Sequence, residues 1–94
     1  MTYSVAIQTE DFDVSHELIS LRRANPGVGA VCSFIGTVRD RNEGDAVASL
    51  ELEHYPGMTE ASIQKMMNEA SQRFDILGAR VVHRVGLLHP LDQI

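Results

Sequence analysis

The sequence is short of exactly those residues that would make several functions easy. It has one lysine, Lys65, one cysteine, Cys32, and no long apolar run. A lone cysteine cannot close an internal disulfide, so the fold does not depend on an oxidising compartment. Cys32 stands inside an apolar stretch, with no glycine elbow or helix N-terminus to lower its pKa, and reads as a small buried hydrophobe rather than a nucleophile. No segment approaches the ~20 apolar residues that span a bilayer. The opening residues Met1 to Ile7 lack the basic and long apolar regions of a signal peptide. A cytoplasmic protein is expected, with no membrane partner. Positive charge is also scarce: 8 Lys+Arg against 13 Asp+Glu give a formal net charge of −5. A nucleic-acid binder needs a basic stripe to meet phosphates, and none is present. His16, His54, His83 and His89 have neither helical i, i+4 spacing nor a zinc-type Cys/His spacing. Neither a metal nor any other cofactor is expected. Gly27 and Gly29 bracket a strand start rather than preceding a helix, so there is no phosphate-binding glycine loop.

What is present is ordinary globular material, 44% hydrophobic and 22% charged in 94 residues. That is one domain, 1–94, with a modest core. Ser4 to Gln8 reads as an opening strand. Asp13 is placed to cap a helix that carries Val14, Leu18 and Leu21 on one stripe, and Pro26-Gly27 stops it. From Val28 to Val38 nearly every residue is apolar or small, the pattern of a strand covered on both faces. Asp40 to Asp45 is a polar turn with Gly44 free to take positive φ. Ala48 to His54 alternates as a half-buried strand, so the two strands around the turn are expected to form an antiparallel hairpin. After Pro56-Gly57, Thr59 is the expected N-cap of a second helix, with Met58 and Ile63 at the spacing of a hydrophobic staple. Ile63, Met66, Met67, Ala70 and Phe74 form its apolar stripe. Ala79 to Leu88 reads as a strand, and His89 to Asp92 as a turn. The order β-α-β-β-α-β predicts an α+β fold with a mixed or antiparallel sheet. An exposed strand edge is expected near Ile94.

Two places can hold an anion. Arg39 lies where an apolar strand emerges into a polar turn, so its guanidinium can be anchored yet reach a phosphate or carboxylate bidentately. Gly36 leaves a gap on the same strand for a flat ligand or a partner backbone. The plain alternative is a surface arginine paired with Asp40 or Glu43, worth little. The second place is His54-Tyr55-Pro56-Gly57-Met58, a loop leading into a helix N-terminus. Its plain alternative is turn chemistry. His83 and Arg84 fall on opposite faces of their strand and need not act together.

Three strings together resemble the large, catalytic subunit of molybdopterin synthase: Phe34-Ile35-Gly36-Thr37-Val38-Arg39-Asp40, then Leu52-Glu53-His54-Tyr55-Pro56-Gly57-Met58-Thr59-Glu60, then Val82-His83-Arg84-Val85-Gly86. The Glu-His-Tyr-Pro-Gly-Met string and its spacing from the Phe-x-Gly-x-Val-Arg strand are the specific part. The resemblance runs through essentially the whole chain and covers about the first two thirds of the family domain. It implies an α/β-hammerhead-type subunit that forms a homodimer and binds two copies of a small ubiquitin-like sulfur carrier, a heterotetramer. The carrier's thiocarboxylate tail would deliver sulfur to cyclic pyranopterin monophosphate, making molybdopterin for molybdenum cofactor biosynthesis. By the same resemblance Arg39 is the pocket arginine, with Thr37 and Val38 on its strand as substrate-binding residues. Phe34 and Gly36 then line the pocket. The family's further pocket residues, a His-Arg pair and two lysines, fall beyond Ile94, and neither Lys65 nor His83-Arg84 matches them. The expectation is therefore an N-terminal part of the synthase domain, truncated and inactive alone for want of the catalytic amines. The competing expectation is a non-catalytic α+β binding module that pairs strand edges.

Overall fold

The structure is a computed structural model and describes residues 2–42, 44–46, 48–53 and 55–94. Eight elements follow in chain order. They are β1 (Thr2–Gln8), α1 (Val14–Ala24), β2 (Arg41–Asn42), β3 (Asp45–Ala46), β4 (Leu50–Leu52), α2 (Met58–Arg73), β5 (Gly78–Arg84) and β6 (Gly86–Leu88). The fold is α+β, as the element pattern predicts.

The frame is a parallel pair. β1 and β5 match along seven residues, from Thr2 opposite Gly78 to Gln8 opposite Arg84. Parallel strands need a long crossover, and here the crossover contains both helices. α2 packs against β1, and α1 against β5. The Tyr3 hydroxyl donates to the Ile76 carbonyl at 2.6 Å, fastening the start of β1 to the lead-in of β5. Arg80 joins Glu17 of α1 at 3.1 Å and the Ser4 hydroxyl of β1 at 3.3 Å. This pair is partly exposed and contributes at most about 1 kcal/mol.

Local signals fix the helices. The Asp13 side chain accepts from the His16 N–H at 3.1 Å, so α1 is capped where the sequence places its cap. α2 begins two residues earlier than expected. Its N-cap is Gly57, at φ 84°, not Thr59. Thr59 instead accepts the Tyr55 N–H on its hydroxyl at 3.2 Å. A left-handed backbone at the cap suits glycine alone, and it displaces the expected cap by two residues. Met58 thereby becomes the first helical residue and lies exposed, so the Met58–Ile63 staple does not form. Of the stripe on α2, Met67 is buried and Ile63 and Ala70 half-buried, while Met66 and Phe74 face solvent.

Ala79 to Leu88 is two strands rather than one. Gly86 adopts φ 87°, which breaks the line after β5. β6 then leaves β1 and pairs antiparallel with β4, Leu50 opposite Leu88. The polar turn forms a small hairpin, β2 with β3, with Gly44 at φ 87°. Its flanking segments do not extend it: β4 is taken by β6, and the Val28–Val38 run is not a strand. Only Thr37 makes a bridge there, with Gln93. Residues 30–35 are exposed, Cys32 and Phe34 among them. The expectation of a strand covered on both faces, with Cys32 buried, is overturned. An apolar sequence prefers a strand, but only a partner's N–H and C=O groups make it one.

Among the described residues the buried apolar side chains are Val38, Met67, Val85 and Leu88. The radius of gyration is 15.0 Å, against about 13 Å for a compact domain of about 100 residues.

Candidate functional site

The end of the apolar run is held where its beginning is not. The His89–Asp92 turn closes with the His89 N–H donating to the Asp92 carboxylate at 2.8 Å, and Leu91 takes φ 78° to complete it. The chain then runs back along residues 36–38. Leu91 donates its N–H to the Val38 carbonyl, Val38 donates to the Asp92 carbonyl, and Ile94 donates to the Gly36 carbonyl, each at 2.9 Å. Val38 is 4% exposed. Its side chain and both backbone groups are therefore spent on structure. Thr37 and Arg39 alternate with it and are exposed on the other face. Thr37 lies opposite Gln93 in a pair that exchanges no hydrogen bond, so its N–H and C=O point away from Gln93.

The result is a bridged segment end with Thr37 and Arg39 on one exposed face. A built Cβ on Gly36 would meet no atom within 4 Å, so the gap expected there is open space. Phe34 is 96% exposed, two residues before that gap. The five residues singled out in the sequence thus occupy one short segment, in which Phe34, Thr37 and Arg39 are solvent-exposed, Gly36 is half-buried and Val38 is the anchor. Glu43, one suggested partner of Arg39, lies outside the described residues.

The second anion candidate is closed. The Glu60 carboxylate accepts the Gly57 N–H at 2.7 Å, and the Met58 and Thr59 N–H groups both donate to the Tyr55 carbonyl at 3.0 and 3.1 Å. The N-terminus of α2 already holds the chain's own anion, which repels another. His54 of that loop lies outside the described residues. Among the described residues no three His, Cys, Asp or Glu side chains form a group able to hold a metal ion.

Arg84 is the residue that the sequence reading missed. Its side chain, 11% exposed, donates from Nε and Nη2 to the Thr9 carbonyl at 3.2 and 3.1 Å, and from Nη1 to the Gln93 carbonyl at 3.1 Å. The Gln93 amide donates in turn to Asp11 Oδ1 at 2.9 Å and to the Phe12 carbonyl at 2.8 Å. The Gln93 hydrogen bond, then the Phe12 N–H and the nearby Arg84 charge, hold the Asp11 carboxyl below its ordinary pKa. Arg84 thus ties the end of β5 to Gln93, and Gln93 faces Thr37. The available signal was an arginine inside the apolar stretch Val81 to Gly86. Such a residue needs carbonyl partners to be buried at low cost.

Comparison with known proteins closes on one family. A family model described as "MoaE protein" matches residues 7–94. The molybdopterin synthase catalytic subunit of Ralstonia nicotianae is 52% identical over 91 residues, covering 97% of this chain and 52% of the relative. That of Vibrio cholerae is 45% identical over 94 residues, covering 100% and 62%. A solved molybdopterin biosynthesis MoaE protein from Burkholderia ambifaria superposes with a TM-score of 0.89 at 50% identity, over 100% of this chain and 60% of that one. The chain spans between about half and three fifths of the length of the relatives it matches.

Proposed function

Because the chain belongs to the MoaE protein family, we propose that it serves molybdenum cofactor biosynthesis as part of a molybdopterin synthase catalytic subunit. Residues 1–94 make up the N-terminal part of that subunit's domain. In this reading sulfur passes from the thiocarboxylate tail of a small ubiquitin-like carrier to cyclic pyranopterin monophosphate. Arg39 and Thr37 grip an anion, either the pterin phosphate or the carrier tail, on one face of the segment, while Gly36 and Phe34 border a cleft on the other. The subunit works as a homodimer carrying two carriers.

One observation carries the assignment of the site. Thr37 and Arg39 flank Val38, which is buried and bonded through both its N–H and its carbonyl to residues 91–92. With the backbone already ordered, only the side-chain rotamers of Arg39 remain to be fixed when its guanidinium binds a carboxylate or phosphate. The acyl transfer also requires an amine. Lys65, the one lysine, is exposed on α2, so this chain by itself should not turn over.

Titration of the carrier against the wild-type chain and Arg39→Ala tests the reading. Loss of a charge-assisted contact worth about 1.5–3 kcal/mol weakens binding roughly 10- to 100-fold. Equal affinity of the two chains both for the carrier and, in a second titration, for cyclic pyranopterin monophosphate would sink the pocket. Full turnover by the 94-residue chain with thiocarboxylated carrier and pterin would sink the claim about the amine. A second reading, strand-edge pairing without catalysis, is favoured by the exposed Val28–Ile35 segment and predicts binding indifferent to Arg39→Ala.

A further inference from the structure

Leu91 occupies a backbone conformation that suits another residue. Among the described residues no other non-glycine has positive φ, and Leu91 stands at 78°. The Asp92 N–H donates to the His89 carbonyl at 3.0 Å and closes the turn. Pro90, at the second position, holds its own φ at about −65°, so the turn is of type II. That type requires positive φ at its third residue, where glycine or asparagine is at ease. The bonds to the neighbouring segment impose the same demand. Leu91 donates to the Val38 carbonyl, while Val38 donates to the Asp92 carbonyl. Two residues thus oppose one, a bulge whose first member is ordinarily a left-handed glycine. Leucine fills both roles only at a steric cost.

No contact within the fold offsets that cost, because Leu91 is 88% exposed. Its place is nonetheless fixed. Besides the bonds just named, the His89 N–H donates to the Asp92 carboxylate at 2.8 Å. The carbonyl that accepts from Leu91 belongs to the peptide group leading into Arg39. One hydrogen bond therefore separates the exposed apolar side chain from the residue proposed to grip the anion. Strain held by its surroundings beside a binding group points to a role in binding. We infer that Leu91 is a specificity-determining contact of this site, meeting an apolar side chain of the carrier whose tail Arg39 holds. A leucine side chain offers no hydrogen bond, so it adds little to a phosphorylated pterin and much to the apolar core of a protein interface. This inference rests on the proposed function, since it takes the carrier as the partner.

The test compares Leu91→Gly, Leu91→Asn and Leu91→Met with the wild-type chain. Each is unfolded thermally and titrated with the carboxylate form of the carrier and with cyclic pyranopterin monophosphate. Glycine and asparagine accept the left-handed backbone, so Leu91→Gly and Leu91→Asn should unfold a few degrees higher. Both should bind the carrier at least about fivefold more weakly, part of the roughly 10- to 100-fold that a fully buried leucine side chain is worth. Their affinity for the pterin should not move. Leu91→Met keeps the apolar bulk and the strain, and should bind the carrier within about twofold of wild type without the gain in stability. Unchanged carrier affinity in Leu91→Gly and Leu91→Asn would overturn the inference. So would a lower unfolding temperature, which would mean that the fold itself uses the side chain. An equal loss of pterin affinity, or Leu91→Met binding the carrier as weakly as Leu91→Gly, would also overturn it. Arg39→Ala is the reference. Carrier binding weakened by Arg39→Ala and untouched by Leu91→Gly would refute the role of Leu91 and leave the proposed function standing. A wild-type chain that binds no carrier would refute both.

Discussion

Two stretches of this chain have similar apolar character and opposite fates. β1 and β5 pair residue for residue over seven positions and carry a helix each. Residues 28–35 are at least as hydrophobic, yet they form no strand and expose most of their side chains. Strand formation is thus a property of pairs, and composition states only a willingness to pair. The transition between the two behaviours occurs within a few residues. At Gly36 the backbone acquires its first bond to residues 91–94, and by Val38 the side chain is buried.

The contrast can be broken most strongly in the paired half. Leu88 is 0% exposed, and Leu88→Ala should cost about 3 kcal/mol, read as a shift of the urea midpoint without a large change in slope. Arg84→Ala attacks the junction. It leaves the Thr9 and Gln93 carbonyls without their donor, for an expected loss of about 1–3 kcal/mol. It should also speed amide exchange at Val38 more than at Val5, because Gln93 loses one of the groups that hold it beside the 36–38 segment. Equal effects at the two amides would show that Arg84 stabilises the frame generally and does not position the strand. The smallest effect belongs to the open segment. Phe34→Ser should change stability by no more than about 0.5 kcal/mol while reducing self-association in light scattering. A larger loss would mean that Phe34 is covered in solution and the contrast is less sharp.

The parts legible in the sequence are those fixed locally. Asp13, the Val14-Leu18-Leu21 stripe and Pro26-Gly27 define α1 within one or two residues. Ser4 to Gln8 and the turn at Gly44 were equally readable, and the family strings led to the right family. The misplaced features depend on positive φ or on distant partners. Nothing in alternation announces that Gly57 rather than Thr59 caps α2, or that Gly86 divides one apolar run into two strands serving different sheets. The solitude of residues 28–35 depends on what lies opposite, which no local pattern encodes. For the candidate site the sequence located Thr37 and Arg39 on one strand. It could not reveal that Val38 is the anchor, nor that Arg84, some 45 residues later, secures the residue that faces Thr37.

That last bridge also bears on the order in which the molecule assembles. More than half of the chain lies between Thr37 and Gln93. Closing so long a loop costs entropy before any contact repays it, and contacts of high sequence separation slow folding. The helices and the β2–β3 hairpin can form from neighbours alone, whereas the Arg39 end of its strand waits for β5, β6 and the His89–Asp92 turn. The proposed anion site is therefore completed late in folding, and a nascent chain displays the 28–35 segment throughout the interval.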